Sequence, residues 1–286
     1  MQINKYIAAV GLSLVLATPF ALAEETEISD KVNTTNDAPG VDEIINETNR
    51  VSYYLGQDGK AKVKMTITDS QKRERTRQFT ILRKDMPESD SLENEAYKGD
   101  QKMYVYFSRP SDVNKMVFMV WKNIEKPDDR WLYLPALDLV KRIAASDKRT
   151  SFVGSDFLYE DVSGRNLDED QHELTGSDEN YYIIKNTPEN PDSVEFSQYI
   201  MYIHKDTFLP IQTEYFDKKG DKYKIYTALK VETIQGHPTI TKSEAKNLKT
   251  GGNTVMEYSK VSYDTGVPDD IFTERYLRKA PKKYLR

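Results

Sequence analysis

Cysteine is absent from all 286 residues. That excludes disulfides, thiolate metal sites, a cysteine nucleophile, and lipid attachment through a cysteine at a signal cleavage site. Histidine is nearly as scarce. His172, His204 and His237 lie far apart, and no His-x-x-x-His pair occurs, so the spacing offers no metal centre. His172 sits in Asp168-Glu-Asp-Gln-His-Glu173, which matches no calcium loop and reads as a solvated acidic loop. No Gly-rich phosphate loop is present, and Gly154-Ser155-Asp156 lacks the Gly-x-Ser-x-Gly elbow of a nucleophilic serine. Acid pairs such as Asp128/Asp129, Glu160/Asp161 and Asp269/Asp270 are expected by chance among 46 acids and read as turns or helix starts. Acids and bases are interspersed at a net charge of −5, so no nucleic-acid footprint stands out. The expectation is a protein without catalytic residues, metal or cofactor.

Beyond residue 23 no apolar run is long enough to span a membrane. Before it, Lys5 gives a positive start, Ile7 to Ala17 an apolar core, and Ala21-Leu22-Ala23 a cleavage site. Residues 1–23 therefore read as an export signal, and an A-x-A signal without cysteine suits the periplasm of a Gram-negative bacterium. Residues 24–40 are polar and read as a disordered lead-in. Residues 281–286 form a basic tail, which reads as a solvated end.

What is present is mostly period two. Val41, Ile44, Ile45, Thr48, Ser52 and Leu55 first mark one helix face, with Asp42 and Glu43 in its first turn. Then Ala61, Val63, Met65 and Ile67 alternate with Lys62, Lys64, Thr66 and Thr68, as a half-buried antiparallel strand does. Further strands are expected around Phe79–Ile81, Met103–Phe107, Lys115–Trp121, Trp131–Leu134, Tyr181–Ile184 and Phe196–Lys205. Two hairpins close the pattern, one about Asp217-Lys-Lys-Gly-Asp221 and one about Thr250-Gly-Gly-Asn253. Pro268-Asp269-Asp270 starts a final helix, Ile271 to Leu277. About ten or eleven strands with few helices argue an α+β, mainly antiparallel fold, a single domain over residues 41–280.

Apolar surface is the remaining clue. Met103, Val105, Phe107, Val117, Met119 and Trp121 share one side if their strands pair simply, and Trp131 and Tyr133 continue the patch. These are the candidate lining of a cavity for apolar cargo, Met being adaptable enough for varied chains. An ordinary core beneath the first helix uses the same residues. Ser151-Phe-Val-Gly-Ser-Asp-Phe-Leu-Tyr-Glu-Asp161 is unusually apolar for a loop. Phe152, Phe157, Leu158 and Tyr159 read either as a movable lid or as a plug at one end of the fold.

Phe107-Ser-Arg-Pro110, Trp131-Leu-Tyr-Leu-Pro135, the Ser151–Asp161 segment and Asp269-Asp-Ile-Phe-Thr-Glu-Arg-Tyr-Leu277, in that order, resemble the LolA-like outer-membrane lipoprotein-sorting proteins. The closer likeness is to a divergent branch found beside RND-type (MMPL-like) exporters. The resemblance covers roughly residues 41 to 280. It implies an unclosed half barrel covered by helices that holds lipoprotein acyl chains in transit, as a monomer in transient contact with membrane partners. It also implies that Arg109 ties lid to barrel. The expected function is a periplasmic carrier of lipoprotein acyl chains or another lipid. The alternatives are an accessory protein docking on the exporter without cargo and, least supported, a lipid or cell-wall hydrolase.

Overall fold

The period-two segments all become strands. In the computed structural model, which describes residues 38–86 and 99–286, there are thirteen. They are β1 (Asp58–Thr68), β2 (Glu74–Met86), β3 (Asp100–Arg109), β4 (Val117–Lys122), β5 (Asp129–Leu134), β6 (Leu139–Ile143), β7 (Asp170–Ser177), β8 (Tyr181–Pro188), β9 (Phe196–His204), β10 (Pro210–Asp217), β11 (Lys222–Ile234), β12 (His237–Asn247) and β13 (Asn253–Tyr263). The export signal and residues 24–37 of the lead-in lie outside the described residues. Among the described residues no helix is long and apolar enough to cross a membrane.

The strands form one antiparallel sheet in the order β6-β5-β4-β3-β2-β1-β13-β12-β11-β10-β9-β8-β7. Neighbours in sequence are neighbours in space except β6 and β7, which lie at opposite ends, and the two runs β1–β6 and β7–β13 are joined where β1 pairs with β13. The sheet does not close, so β6 and β7 are its edges. Both expected hairpins are present, and Gly220 supplies the positive φ, +87°, that the first turn requires.

The two strands beyond the expected eleven are those edges. Most of the acidic loop expected over Asp168–Glu173 belongs to β7, of which only Asp170 is buried. A strand exposed along its length carries no apolar alternation, which is why the pattern hid it.

A helix, α1 (Val41–Tyr53), follows the expected face, with Asp42 and Glu43 in its first turn and Ile44, Ile45, Thr48, Asn49 and Val51 buried. A short helix, α2 (Tyr159–Ser163), follows the aromatic segment. The expected last helix is split. A 3-10 turn, Asp269–Phe272, gives way to α3 (Glu274–Arg278) because Thr273 is extended, φ −120° and ψ 159°. The basic tail is partly packed rather than solvated, since Pro281 is buried and Tyr284 and Leu285 lie against the core.

Each face of the sheet is covered differently. On the outer face Leu82, Tyr104, Val117, Met119 and Tyr133 pack under Val267, Ile271, Phe272 and Leu277. On the inner face Val63, Phe79, Met103, Val105, Phe107, Phe118 and Val120 pack under Phe152, Phe157 and Tyr159. Farther along the inner face α1 seats Ile44 and Ile45 on Ile184 and Ile203, and Val51 on Leu209.

Candidate functional site

The register divides the expected lining residues between the two faces. Val105 pairs with Phe118 and Met103 with Val120, whereas Tyr104 pairs with Met119 and Tyr106 with Val117. Directly opposed residues of an antiparallel pair project to the same side. Met103, Val105 and Phe107 therefore face inward, and Val117, Met119 and Trp121 face outward. Trp131 and Tyr133, paired with Met119 and Val117, face outward too. Parity within a strand is legible from sequence. The offset between strands depends on how Pro110–Met116 turns, and residue types do not reveal that.

The outward set is core beneath the C-terminal segment. Trp121 and Trp131 meet edge to face at 5.1 Å, Trp121 Nε1 donates to Phe272 O at 2.9 Å, and the Tyr104 hydroxyl donates to Tyr276 O at 2.6 Å. Asp58 binds the segment's start by accepting from Thr265 N at 2.7 Å and Val267 N at 2.9 Å.

The aromatic segment is a plug. Phe152 is wholly buried, with ring centroids 5.8 Å from Phe107, 5.7 Å from Phe118 and 5.5 Å from Tyr159. Phe157 stacks on Tyr226 at 5.4 Å. Leu158 is half-buried, and its backbone N–H donates to Asp161 Oδ2 at 2.6 Å.

A charged clamp holds the plug. Glu160, 2% exposed, accepts Arg149 at 2.6 Å and Lys148 at 2.8 Å, with Arg165 at 3.4 Å. Arg149 reaches on to Glu195 at 2.5 Å, and Arg165 to Asp170 at 2.7 Å. Burial pushes the Glu160 carboxyl up, but Arg149, Lys148 and Arg165 together outweigh it and bring its pKa to about 2.

Between the plug and α1 the inner face is left hollow. The cavity measures about 450 Å³ and is lined by Phe79, Ile81, Met103, Leu209, Met256 and Tyr258 among others, with α1 supplying Ile45, Thr48 and Val51. Of the expected lining residues only Met103 reaches it, while Val105 and Phe107 lie under the plug. Phe157 contributes a wall. The size falls within the range of small-molecule sites.

Arg109 shares the parity of Phe107 but is exposed, and its side chain makes no hydrogen bond or ion pair among the described residues. The tie between helix and sheet is made by Arg83. Its guanidinium donates to the carbonyls of Tyr53 and Leu55 and, at 2.8 Å, to that of Gly56. A cation is well placed at this end, where α1 leaves its last carbonyls without helical partners. Asp85 lies 3.3 Å from Arg83. Burial raises its carboxyl to about 6 against the opposing pull of Arg83 and Gln101. Arg83 has the same parity as Phe79 and Ile81, and that parity was the available signal for an inward arginine.

A second, polar cavity of about 580 Å³ adjoins the first, sharing Ile45, Asn49, Arg165, Leu167 and His172 as walls. Both His172 ring nitrogens face acceptors, Asn186 Oδ1 at 2.6 Å and Leu167 O at 3.1 Å. Among the described residues no group of three or more His, Cys, Asp or Glu side chains is arranged to hold a metal ion.

A family model described as "Uncharacterized protein" matches residues 99–279, well over half of the chain. No curated protein matches the sequence. Among solved structures, a DUF1329 family protein from Desulfovibrio piger shares 29% identity at a TM-score of 0.73, over 84% of this chain and 100% of its own. A putative outer membrane lipoprotein-sorting protein domain from Vibrio parahaemolyticus shares 23% identity at a TM-score of 0.72, over 83% of this chain and 97% of its own. A LolA superfamily protein from Nitrosomonas europaea shares 18% identity at a TM-score of 0.63, over 84% of this chain and 100% of its own. The chain belongs to the family that this model describes, and its unclosed sheet has the fold of the DUF1329 family protein, of the lipoprotein-sorting domain and of the LolA superfamily.

Proposed function

We propose that the protein is a periplasmic carrier that shields one apolar chain, of a lipoprotein or another lipid, in the hollow beneath α1 and passes it between membrane partners. Its work is binding rather than bond making. The observation that carries this reading is the cavity of about 450 Å³, apolar over most of its lining, that the side chains of the described residues leave unfilled. The fold shared with lipoprotein-sorting domains and the A-x-A leader sequence support the cargo class and the compartment.

The energetics suit a carrier. Burying about fifteen methylenes contributes about 12 kcal/mol, at about 0.8 kcal/mol each. Association costs at least about 4 kcal/mol, which leaves about 8 kcal/mol and a micromolar grip. Release then calls for a partner that lifts α1 or competes for the chain.

The test is native mass spectrometry of protein purified from a periplasmic fraction, with lipid extraction of the same sample. A bound lipid or acylated peptide of defined mass is expected. A protein that stays empty after incubation with membrane lipids and a lipoprotein would overturn the carrier reading in favour of a docking module for an exporter.

A further inference from the structure

Along β4 the inner-facing row runs Phe118, Val120, Lys122. Two apolar side chains are followed by a lysine 2% exposed. Lys122 lines the polar cavity. Its ammonium group makes no ion pair or hydrogen bond among the described residues. Its neighbours are rings instead, with Nζ 5.4 Å from the Tyr53 centroid and 5.7 Å from that of Tyr54. Gly164 makes room for this arrangement, since a Cβ there would stand 3.0 Å from the Tyr53 ring. Burial lowers the Lys122 pKa to about 8, although Asp128, Glu160 and Glu169 pull the other way. A buried ammonium without a carboxylate partner is costly, and it retains unused donors. In the same cavity Asn166 Oδ1 is also buried without a partner.

The charges lining this cavity are ordered. Arg165 and Asp170 satisfy each other at 2.7 Å. Asp42, Asp168 and Glu189 line it from exposed positions on the solvent side. From the apolar hollow outward the order is therefore hydrocarbon surface, one buried cation, then carboxylates. A zwitterionic amphiphile has the complementary order of chain, anionic oxygen, then ammonium.

We propose that the polar cavity is the head-group subsite for the amphiphile whose chain lies beneath α1, with Lys122 taking the phosphate oxygen and the acidic rim the ammonium. This rests on the carrier reading of the neighbouring hollow. Asn166 Oδ1 is placed to accept from a hydroxyl of the same head.

The experiment is isothermal titration calorimetry of the mature protein with three probes. These are lysophosphatidylethanolamine, a monoacylglycerol of the same chain length, and glycerophosphoethanolamine, which has the head but no chain. The lysophospholipid is expected to bind at least tenfold more tightly than the monoacylglycerol, and the chainless compound not measurably. Lys122→Met is expected to reduce the lysophospholipid to the affinity of the monoacylglycerol and to leave the latter within twofold. Equal affinities of the two chain-bearing probes for the unmodified protein would overturn the head subsite and leave the chain cavity standing. Failure of both would overturn the carrier reading and the subsite with it. Tight binding of the chainless compound would make this a site for a free anion and overturn its assignment to an amphiphile. The first comparison needs no variant, so it holds even if Lys122→Met does not fold.

Discussion

The inner face has two halves that are alike in chemistry and opposite in state. Around Phe79, Phe107 and Phe118 it is filled by Phe152 and Tyr159, ring against ring. Beneath α1 it stays hollow, although Met201, Leu209, Met256 and Tyr258 line it just as greasily. The difference lies in the cover. A charged clamp fastens the plug down, whereas α1 spans the hollow from contacts toward its two ends, Ile44 and Ile45 at one and Val51 at the other. Apolar surface alone therefore does not mark a binding site in this fold. What marks it is apolar surface whose cover does not reach the floor.

Truncation should break that comparison most sharply. Phe152→Ala is expected to cost about 3–5 kcal/mol, because close-packed rings cannot collapse into the space it leaves. Met201→Ala, half-buried at the edge of an existing hollow, should cost about 1 kcal/mol, since it enlarges a space already there. Urea unfolding at constant m-value measures both. Comparable losses would mean that the hollow is packed in solution.

The clamp sets the next largest effect. Glu160→Gln leaves Arg149 buried and Lys148 half-buried beside a neutral amide, each keeping a second carboxylate, Glu195 or Glu169, so the expected loss is about 3 kcal/mol, the low end for breaking a buried pair. The pH dependence carries the same information. The folded pKa of Glu160 is about 2 against an ordinary 4.5, so the stability it contributes is complete above pH 4.5 and is lost as pH falls from 4.5 through 2. That contribution is on the order of 3 kcal/mol. In Glu160→Gln the part of the acid-unfolding slope between pH 4.5 and 2 should flatten. An unchanged slope would place the clamp's contribution elsewhere.

Much of the frame was legible in the residues. Val63, Met65 and Ile67 alternate because one side of β1 is core, and Asp217–Asp221 turns where its glycine permits. The helix, the antiparallel class and the family resemblance follow from such local patterns. The site was legible only in part. Val117, Met119 and Trp121 look like lining in sequence and are outer core in space, because a strand's phase relative to its neighbour is a property of the turn between them. Lys122 and Glu160 look like surface charges in sequence. Their burial arises from contacts with Tyr53 and with Arg149 and Arg165, made by separate elements across the inner face.

Arg83 separates roof from floor at smaller cost. Arg83→Ala removes charge-assisted bonds to the carbonyls of Tyr53, Leu55 and Gly56, an expected loss of about 2 kcal/mol. It should appear first as faster amide hydrogen exchange in α1, with the plug's amides unchanged. Loss of protection in both regions together would mean that roof and plug open as one unit.

The smallest expected effect decides between two arginines. The family resemblance assigns the tie between lid and barrel to Arg109, whereas the structure leaves that side chain exposed and unpaired at the end of β3. Arg109→Ala should therefore change stability by no more than about 0.5 kcal/mol and leave α1 exchange as it was. If instead it alters ligand affinity or α1 protection as much as Arg83→Ala does, Arg109 must reach the roof in a state other than the one described. The hollow half would then have a second, closed arrangement, and the plugged half, already fastened by Glu160, would be the fixed wall against which it closes.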